Sequence, residues 1–166
     1  MMRVLVISDT HGDEQALCRA VEAQPTARVV LHLGDGVREA EAAASAYPDR
    51  EFHLIRGNND WSAGRAYPLT QELLLSGKRV FLTHGHGYRV KMGLYDVVCA
   101  ARERGADILL FGHTHQPLTD YEDGLYLMNP GSLGYGGTYG IVDITPAGVV
   151  TSLVPNRDDR QAGGAR

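Results

Sequence analysis

Five times along this chain a run of β-branched and aromatic residues stops at a cluster of Asp, Asn or His. "RVLVISDTHGD" (3–13), "RVVLHLGDG" (28–36), "EFHLIRGNND" (51–60), "KRVFLTHGHG" (78–87) and "DILLFGHTHQP" (107–117) all follow the pattern. Runs so rich in Val, Ile, Leu and Phe suit strands buried on both faces. Such strands need helices laid over them, and the helices are legible between the runs. Residues 14–24 follow Asp13 as an N-cap and stop before Pro25; residues 37–47 are alanine-rich and stop before Pro48. Residues 90–104 close with Arg102 and Arg104 ahead of Gly105, which suits a helix C-terminus.

Strand–helix–strand order implies right-handed crossovers and a largely parallel α/β sheet. In such a sheet the carboxyl ends of the strands share one edge, and ligands bind there. Asp9, His11, Asp35, Asn58, His84, His113 and His115 are therefore expected to converge, although they are scattered along the chain. The last third reads differently. Residues 124–132, 138–144 and 148–155 are short strand-like runs between Gly-rich turns, read as antiparallel strands or a meander that completes the core. At 166 residues, 43% of them hydrophobic, the chain can bury one substantial core, so a single domain is expected over 1–155. The polar stretch 156–166 reads as a flexible tail.

The chemistry follows from the residue types. In an extended segment the side chains at i and i+2 point the same way, so Asp9-x-His11 and His113-x-His115 can each aim two ligands at one point. Gly34 and Gly57, ahead of Asp35 and Asn58, allow the tight backbone that turns a strand end into a site. A set of imidazole, carboxylate and amide donors without thiolate prefers Mn, Fe, Co, Ni or Zn over Mg or Ca. Seven candidates are too many for one ion and suit two divalent transition-metal ions sharing a carboxylate. Two such ions against Asp9 and Asp35 leave a locally cationic pocket in a chain whose formal net charge is −4. That pocket suits an anion, and phosphate fits. Ions roughly 3.5–4 Å apart can clamp a phosphoryl group and bring the pKa of a shared water toward ~7. Phosphoester hydrolysis by direct attack of a metal-bridging hydroxide is the expected reaction, with a small phosphoester as substrate.

The same composition sets exclusions. A net charge of −4 argues against grip on long nucleic acid, which needs a basic stripe. The apolar run at the N-terminus is too short for a signal peptide or a membrane span, so no membrane association and a cytoplasmic location are expected. Cys18 and Cys99 are far apart, lie in helical stretches and read as reduced core thiols. A homo-oligomer is compatible with everything in the sequence.

Taken together, Asp9-x-His11, Gly34-Asp35, Gly57-Asn58-Asn59-Asp60, the "THGH" of 83–86 and Gly112-His113-Thr114-His115 resemble the successive motifs of calcineurin-like metallophosphoesterases. In order, spacing and length the chain is similar to the small YfcE-type phosphodiesterases of that superfamily, and "NPGS" (129–132) adds to the likeness. The resemblance spans roughly residues 3 to 145. It implies a four-layer α/β/β/α sandwich of two mixed β-sheets flanked by helices. It also implies that Asp9, His11 and His115 hold one ion, that Asp35 bridges, and that Asn58, His84 and His113 complete the second. Manganese is the first expectation, with Ni, Fe, Co and Zn as alternatives. Many members carry a histidine where this chain has Asn59, and that histidine is thought to protonate the leaving oxygen or bind the phosphate. An amide cannot deliver a proton at neutral pH. The small phosphodiesterases share the change, which favours diesters and acidic leaving groups, with Asn59 expected at the equatorial phosphoryl oxygens.

Other polar residues carry a structural reading beside the functional one. His32 and His53 lie inside strand runs and are read as structural. His86 is a support for the ligands, a phosphate contact or a polar turn residue. Asp60 either orients Asn59 or a ligating imidazole, or caps a helix ahead of "WSAGRAY". Arg56 and Arg65 are phosphate clamps or solvated surface arginines. Loops 61–72 and 116–124 are the expected lids, short enough for an open pocket and broad specificity. A broad phosphomonoesterase or dinucleotide polyphosphate hydrolase is the nearby alternative. A protein of another class, a non-catalytic scaffold like a retromer subunit of the same fold, is set against them. Intact metal-binding positions favour the enzyme.

Overall fold

A computed structural model describes residues 1–61 and 64–157 of the chain. Ten strands and three helices alternate: β1 (Met2–Ile7), α1 (Glu14–Ala23), β2 (Val29–His32), α2 (Val37–Ala46), β3 (Glu51–Leu54), β4 (Thr70–Leu75), β5 (Lys78–Thr83), α3 (Tyr95–Glu103), β6 (Ile108–Leu110), β7 (Leu118–Glu122), β8 (Leu125–Asn129), β9 (Thr138–Thr145) and β10 (Gly148–Pro155). They form two five-stranded sheets, ordered β10-β9-β1-β2-β3 and β4-β5-β6-β8-β7. Each has a parallel centre, β1-β2-β3 in one and β5-β6-β8 in the other, with antiparallel neighbours outside.

The alternation along β1 shows why there are four layers. Val4 and Val6 point into a buried cluster that also holds Val80, Leu82, Ile108, Leu110 and Met128 of the second sheet. Leu5 and Ile7 point the other way, against Ala16, Leu17, Ala20 and Val21 of α1 and Val37, Ala40 and Ala43 of α2. In the second sheet Phe81, Leu109 and Leu127 turn outward to Val97, Ala100 and Ala101 of α3. Each strand buries both faces because a side chain's direction reverses at every residue, so one run feeds two apolar layers. The four-layer sandwich of two mixed sheets flanked by helices is thus present.

The single parallel sheet read from strand order alone is corrected. The break comes at residues 70–75, which the sequence reading gave partly to a lid loop; they form β4, which pairs antiparallel with β5. A hairpin through Ser76 and Gly77, with φ of 46° and 80°, replaces the helical crossover there and starts the second sheet. The other expected lid, 116–124, contains β7, and β8 runs parallel to β6 where a meander was expected.

The helices keep close to their predicted bounds at α1 and α2. Asp13 caps α1 by accepting from the Ala16 N–H at 2.9 Å. α3 starts at Tyr95, five residues after the predicted 90. The segment before it turns through a 3₁₀ element, His86–Tyr88, with left-handed backbone at Gly85 and Arg89. Gly105 follows α3 at φ 64°, as the C-terminal reading required. Of the predicted tail, residues 158–166 lie outside the described residues. Asn156 is bonded on both sides, from its N–H to Gly137 and from its amide to Ala16. Cys18 and Cys99 are free and half-buried, not core.

Candidate metal centre

The segments after β1, β2, β3, β5 and β6 bring their polar ends together, three from the first sheet and two from the second. The backbone there is unusual. Asp9, His11, Asp35, His113 and His115 all have left-handed φ, between 45° and 68°. Residues with a Cβ seldom adopt this region, and such strain clusters where a site requires it. The tight contacts between segments have the same origin. A Cβ on Gly57 would fall onto the carboxylate of Asp35, and one on Gly112 would strike the Ser8 hydroxyl and come within 2.9 Å of Asp9 Oδ2. Gly57 is thus required by space, and Gly34 both by its φ of 99° and by the backbone of Gly57, whose N would lie 2.5 Å from a Cβ there.

Two groups of donor atoms result: Asp9, His11 and His115, and Asp9, Asp35 and His84. In the outer group His115 Nε2 lies 3.1 Å from Asp9 Oδ1 and 3.2 Å from His11 Nε2, with His11 Nε2 3.5 Å from the same oxygen. In the inner group His84 Nε2 lies 3.5 Å from Asp35 Oδ2, 3.9 Å from Asp9 Oδ1 and 3.0 Å from Asn58 Oδ1. Ligands about 2.1 Å from a common ion stand about 3.0–3.4 Å apart. Imidazole, carboxylate and amide donors at these separations fit divalent transition metals. His113 joins from the second sheet, its ring 5.0 Å from that of His84 and its N–H donating to Asp9 Oδ2 at 3.1 Å. All seven sequence-predicted positions therefore meet. Asp9 belongs to both groups, while Asp35, the bridge by resemblance, meets the inner one.

Neighbouring groups fix the ligands. The His84 Nδ1–H donates to the Leu33 carbonyl at 2.7 Å, which leaves Nε2 free to ligate. The Ser8 hydroxyl donates to Asp9 Oδ2 at 2.5 Å. Asn59 donates twice to Asp35, from its backbone N–H and its amide, both at 2.8 Å. It therefore supports a candidate ligand, and it also lines the cavity beside the site. Asp60 is engaged otherwise among the described residues. Its carboxylate accepts from the N–H groups of Asp35, Gly36, Val37 and Gly57 at 2.7–3.1 Å, capping α2 from another segment and tying the Asp35 and Asn58 loops together.

The titrating groups follow this geometry. Burial works to raise Asp35, but His84 and the two Asn59 donors prevail and hold it well below the usual carboxylate range. Burial works to lower His84, but the hydrogen bond to Asp35 and the charges of Asp9 and Asp35 raise it. His113 is pushed down to about 4 by burial and by the nearby charges of His84 and Lys91. His86 is lowered by burial and then by His84. Its ring lies 5.4 Å from that of His84 and 6.1 Å from that of His113, so it borders the site, and its Nδ1 is buried without a partner among the described residues. His53, paired with Glu51 and Gln71 away from the site, is structural as read. His32 is structural in a way that serves the site: it reaches Thr10 Oγ1 at 3.0 Å, and that hydroxyl donates to Glu39. Arg65 is exposed. Arg56 is half-buried with its Nε sealed, which corrects the solvated reading for that residue.

Sequence reasoning missed the clamp formed by "NPGS". Asn129 donates to the Gly112 carbonyl and Thr114 Oγ1, and Ser132 to the Asp9 carbonyl, so one loop holds the tips of both sheets. The motif by itself carries only a family likeness; its role lies in contacts between segments distant in the chain. Tyr135 was missed too. Its ring lies over His11 and His115, with centroids 4.8 and 5.5 Å away.

Comparison with known proteins agrees with this geometry. Residues 2–146 match the family model described as the calcineurin-like phosphoesterase superfamily domain. The chain is 33% identical over 136 residues to the probable metallophosphoesterase YsnB of Bacillus subtilis, covering 80% of this chain and 75% of that protein. It is 31% identical over 169 residues to the phosphodiesterase YfcE of Escherichia coli, covering 86% and 88%. Among solved structures, a conserved uncharacterised protein of Streptococcus pneumoniae superposes with a TM-score of 0.79 at 25% identity, over 93% of this chain and 90% of that one. Vps29 of Entamoeba histolytica, solved in complex with zinc, shares the fold at a TM-score of 0.69 and 22% identity, over 94% and 100%.

Proposed function

The chain belongs to the calcineurin-like phosphoesterase superfamily, and from that premise we propose that it is a two-metal phosphodiesterase acting on small, nucleotide-like diesters. The observation that carries the reading is the meeting of Asp9, His11, Asp35, His84 and His115, from two sheets, in two groups of closely spaced donor atoms, with Asn58 and His113 beside them and most of the set on strained backbone. Asp9, His11 and His115 would hold one ion, and Asn58, His84 and His113 a second, with Asp35 between them. Manganese is the proposed metal on the donor set. When bound, the ions supply Lewis acidity to phosphoryl oxygens and bring the pKa of a water toward neutrality.

The protein's own part is positional and electrostatic. The Leu33 carbonyl fixes the His84 tautomer, and Asn59 fixes Asp35. His86, lowered by burial and by His84, borders the site and is suited to a phosphoryl contact. Asn59 offers the leaving oxygen no proton, because an amide is no acid at neutral pH and its hydrogen is given to Asp35. Esters whose leaving group departs as a stable anion are therefore favoured, and general-acid help worth about 10²–10⁴-fold is forgone with alkoxide leaving groups. Free thiols at Cys18 and Cys99 suit a reducing, cytoplasmic setting, which completes the reading.

The test is hydrolysis of bis-p-nitrophenyl phosphate and of its monoester after chelation and re-addition of Mn, Ni, Zn or Mg. Diester turnover restored by Mn is the expected result; a preference for the monoester would move the protein to the phosphomonoesterases. The scaffold alternative rests on the shared fold of Vps29 alone. Because that protein was itself solved with zinc, metal binding does not separate the two readings. Turnover does.

A further inference from the structure

Beside the candidate metal centre lies a cavity of about 760 Å³ whose lining includes His11, Asp35, Asn59, Arg38, Trp61 and Tyr135. Its volume is in the range of small-molecule sites. Two of its walls are large aromatic rings left in water: Trp61 is 86% exposed and Tyr135 74% exposed. Both rings line the same cavity, so their open faces are available to a ligand held there.

Both rings stand on anchored backbone. Trp61 follows Asp60, whose carboxylate is bound by four backbone N–H groups. The Tyr135 N–H donates to Ser132 Oγ at 3.0 Å, and the next residue back, Gly134, donates to the Asp9 carbonyl at 3.1 Å. The other end of the Tyr135 ring is free, since its hydroxyl has no partner among the described residues. The acids of the same wall are already engaged. Asp60 is saturated, and Glu39 accepts from Thr10 Oγ1 and the Gly12 N–H. Glu14 is left at the rim, and Arg38 is exposed and makes no ion pair among the described residues. The cavity thus offers two π faces and a free guanidinium, continuous with the place where a phosphoryl group would sit.

We propose that this cavity is a subsite for a planar aromatic group carried by the phosphoester, a nucleobase or aryl ring, received by Trp61 and Tyr135. The inference deepens the phosphodiesterase reading and rests on it. A ring there would stack without base-specific hydrogen bonds, so purines, pyrimidines and aryl rings are all accepted. Arg38 would serve the phosphate of a nucleotide or add a cation–π contact.

Trp61 is the only tryptophan in the chain, so its fluorescence reports this cavity alone. Titration of the metal-loaded protein with thymidine 5′-monophosphate is expected to change that fluorescence saturably, whereas ribose 5-phosphate, which lacks the ring, changes it little. As competitors of bis-p-nitrophenyl phosphate hydrolysis, the two compounds give a second readout. Trp61→Ala should raise the inhibition constant of the nucleotide roughly 5- to 30-fold, with the constant of ribose 5-phosphate moving far less. Trp61→Phe should restore most of the difference, and Tyr135→Phe, which keeps the ring against His11 and His115, should leave both constants nearly unchanged. Equal weakening of both competitors, or saturable nucleotide binding with silent Trp61 fluorescence, overturns the subsite. Absence of diester hydrolysis at any metal overturns the phosphodiesterase reading instead, and the fluorescence titration still decides the cavity.

Discussion

The outer and inner groups of candidate ligands use the same residue types but are built differently. His11 and His115 are partly open to solvent, face each other through Nε2 and have no protein partner on the far ring nitrogen among the described residues. In the inner group His84 is fully buried, its far nitrogen is held by Leu33, and Asp35 is held by two donors from Asn59. A ligand oriented by a second set of hydrogen bonds loses little freedom when a cation arrives; one held only by packing against Tyr135 loses more. The difference teaches that one cluster of donors can combine a preorganised position with a looser one that borders the cavity.

The largest expected effect would erase the distinction. Asp9→Asn removes the oxygen common to both groups, and Asp35→Asn the carboxylate assigned as the bridge. Each should cost both ions and on the order of 10³-fold in turnover, read by metal content per chain alongside diester hydrolysis. Loss of the inner ion alone in Asp35→Asn would leave the sharing to Asp9.

A smaller effect should sharpen the contrast. Asn59→Ala removes one of the two donors to Asp35 without touching a ligand, and should weaken metal binding at the inner group about 10- to 100-fold while sparing the outer one. Competition titration with a metal indicator measures both affinities. Equal weakening of the two would show that the inner group gains nothing special from its support.

The smallest effect is in pH. His84 is raised above its ordinary 6.5 in the ion-free protein, so its charged form contributes stability that is fully present below 6.5 and is lost as pH rises through the higher value. A cation needs the neutral ring, so loading the inner group expels that proton. Proton release on Mn binding should therefore grow, and affinity fall, as pH is lowered toward 6.5. His113, held down to about 4, contributes none of that release. Calorimetry in two buffers of different ionisation enthalpy reads the proton count, and a count of zero would remove His84 from the inner group.

Much of this was legible in the chain. The apolar runs, the caps at Asp13 and Gly105, and the seven candidate positions at strand ends follow from local composition and from the fact that parallel strands of a sheet end on a common edge. What was not legible depends on contacts between distant segments. Residues 70–72 read as part of a lid loop because β4 is an edge strand whose inward residues are only partly apolar. Asp60 could not be seen as the cap of α2, because its partners lie more than twenty residues earlier in the chain. Asn129 and Ser132 looked like turn residues until their acceptors on the two sheets were known.

By itself the amino-acid order determined which residues could be ligands and which strands would carry them, since side-chain chemistry and alternation are local properties. Tertiary structure alone decided that the strands divide between two sheets, that Asp9 reaches both donor groups, and that Asp9, His11, Asp35, His113 and His115 take left-handed backbone. Such conformations are unfavourable in an isolated segment. They persist because hydrogen bonds from the other sheet and close packing against glycines leave those residues no other arrangement.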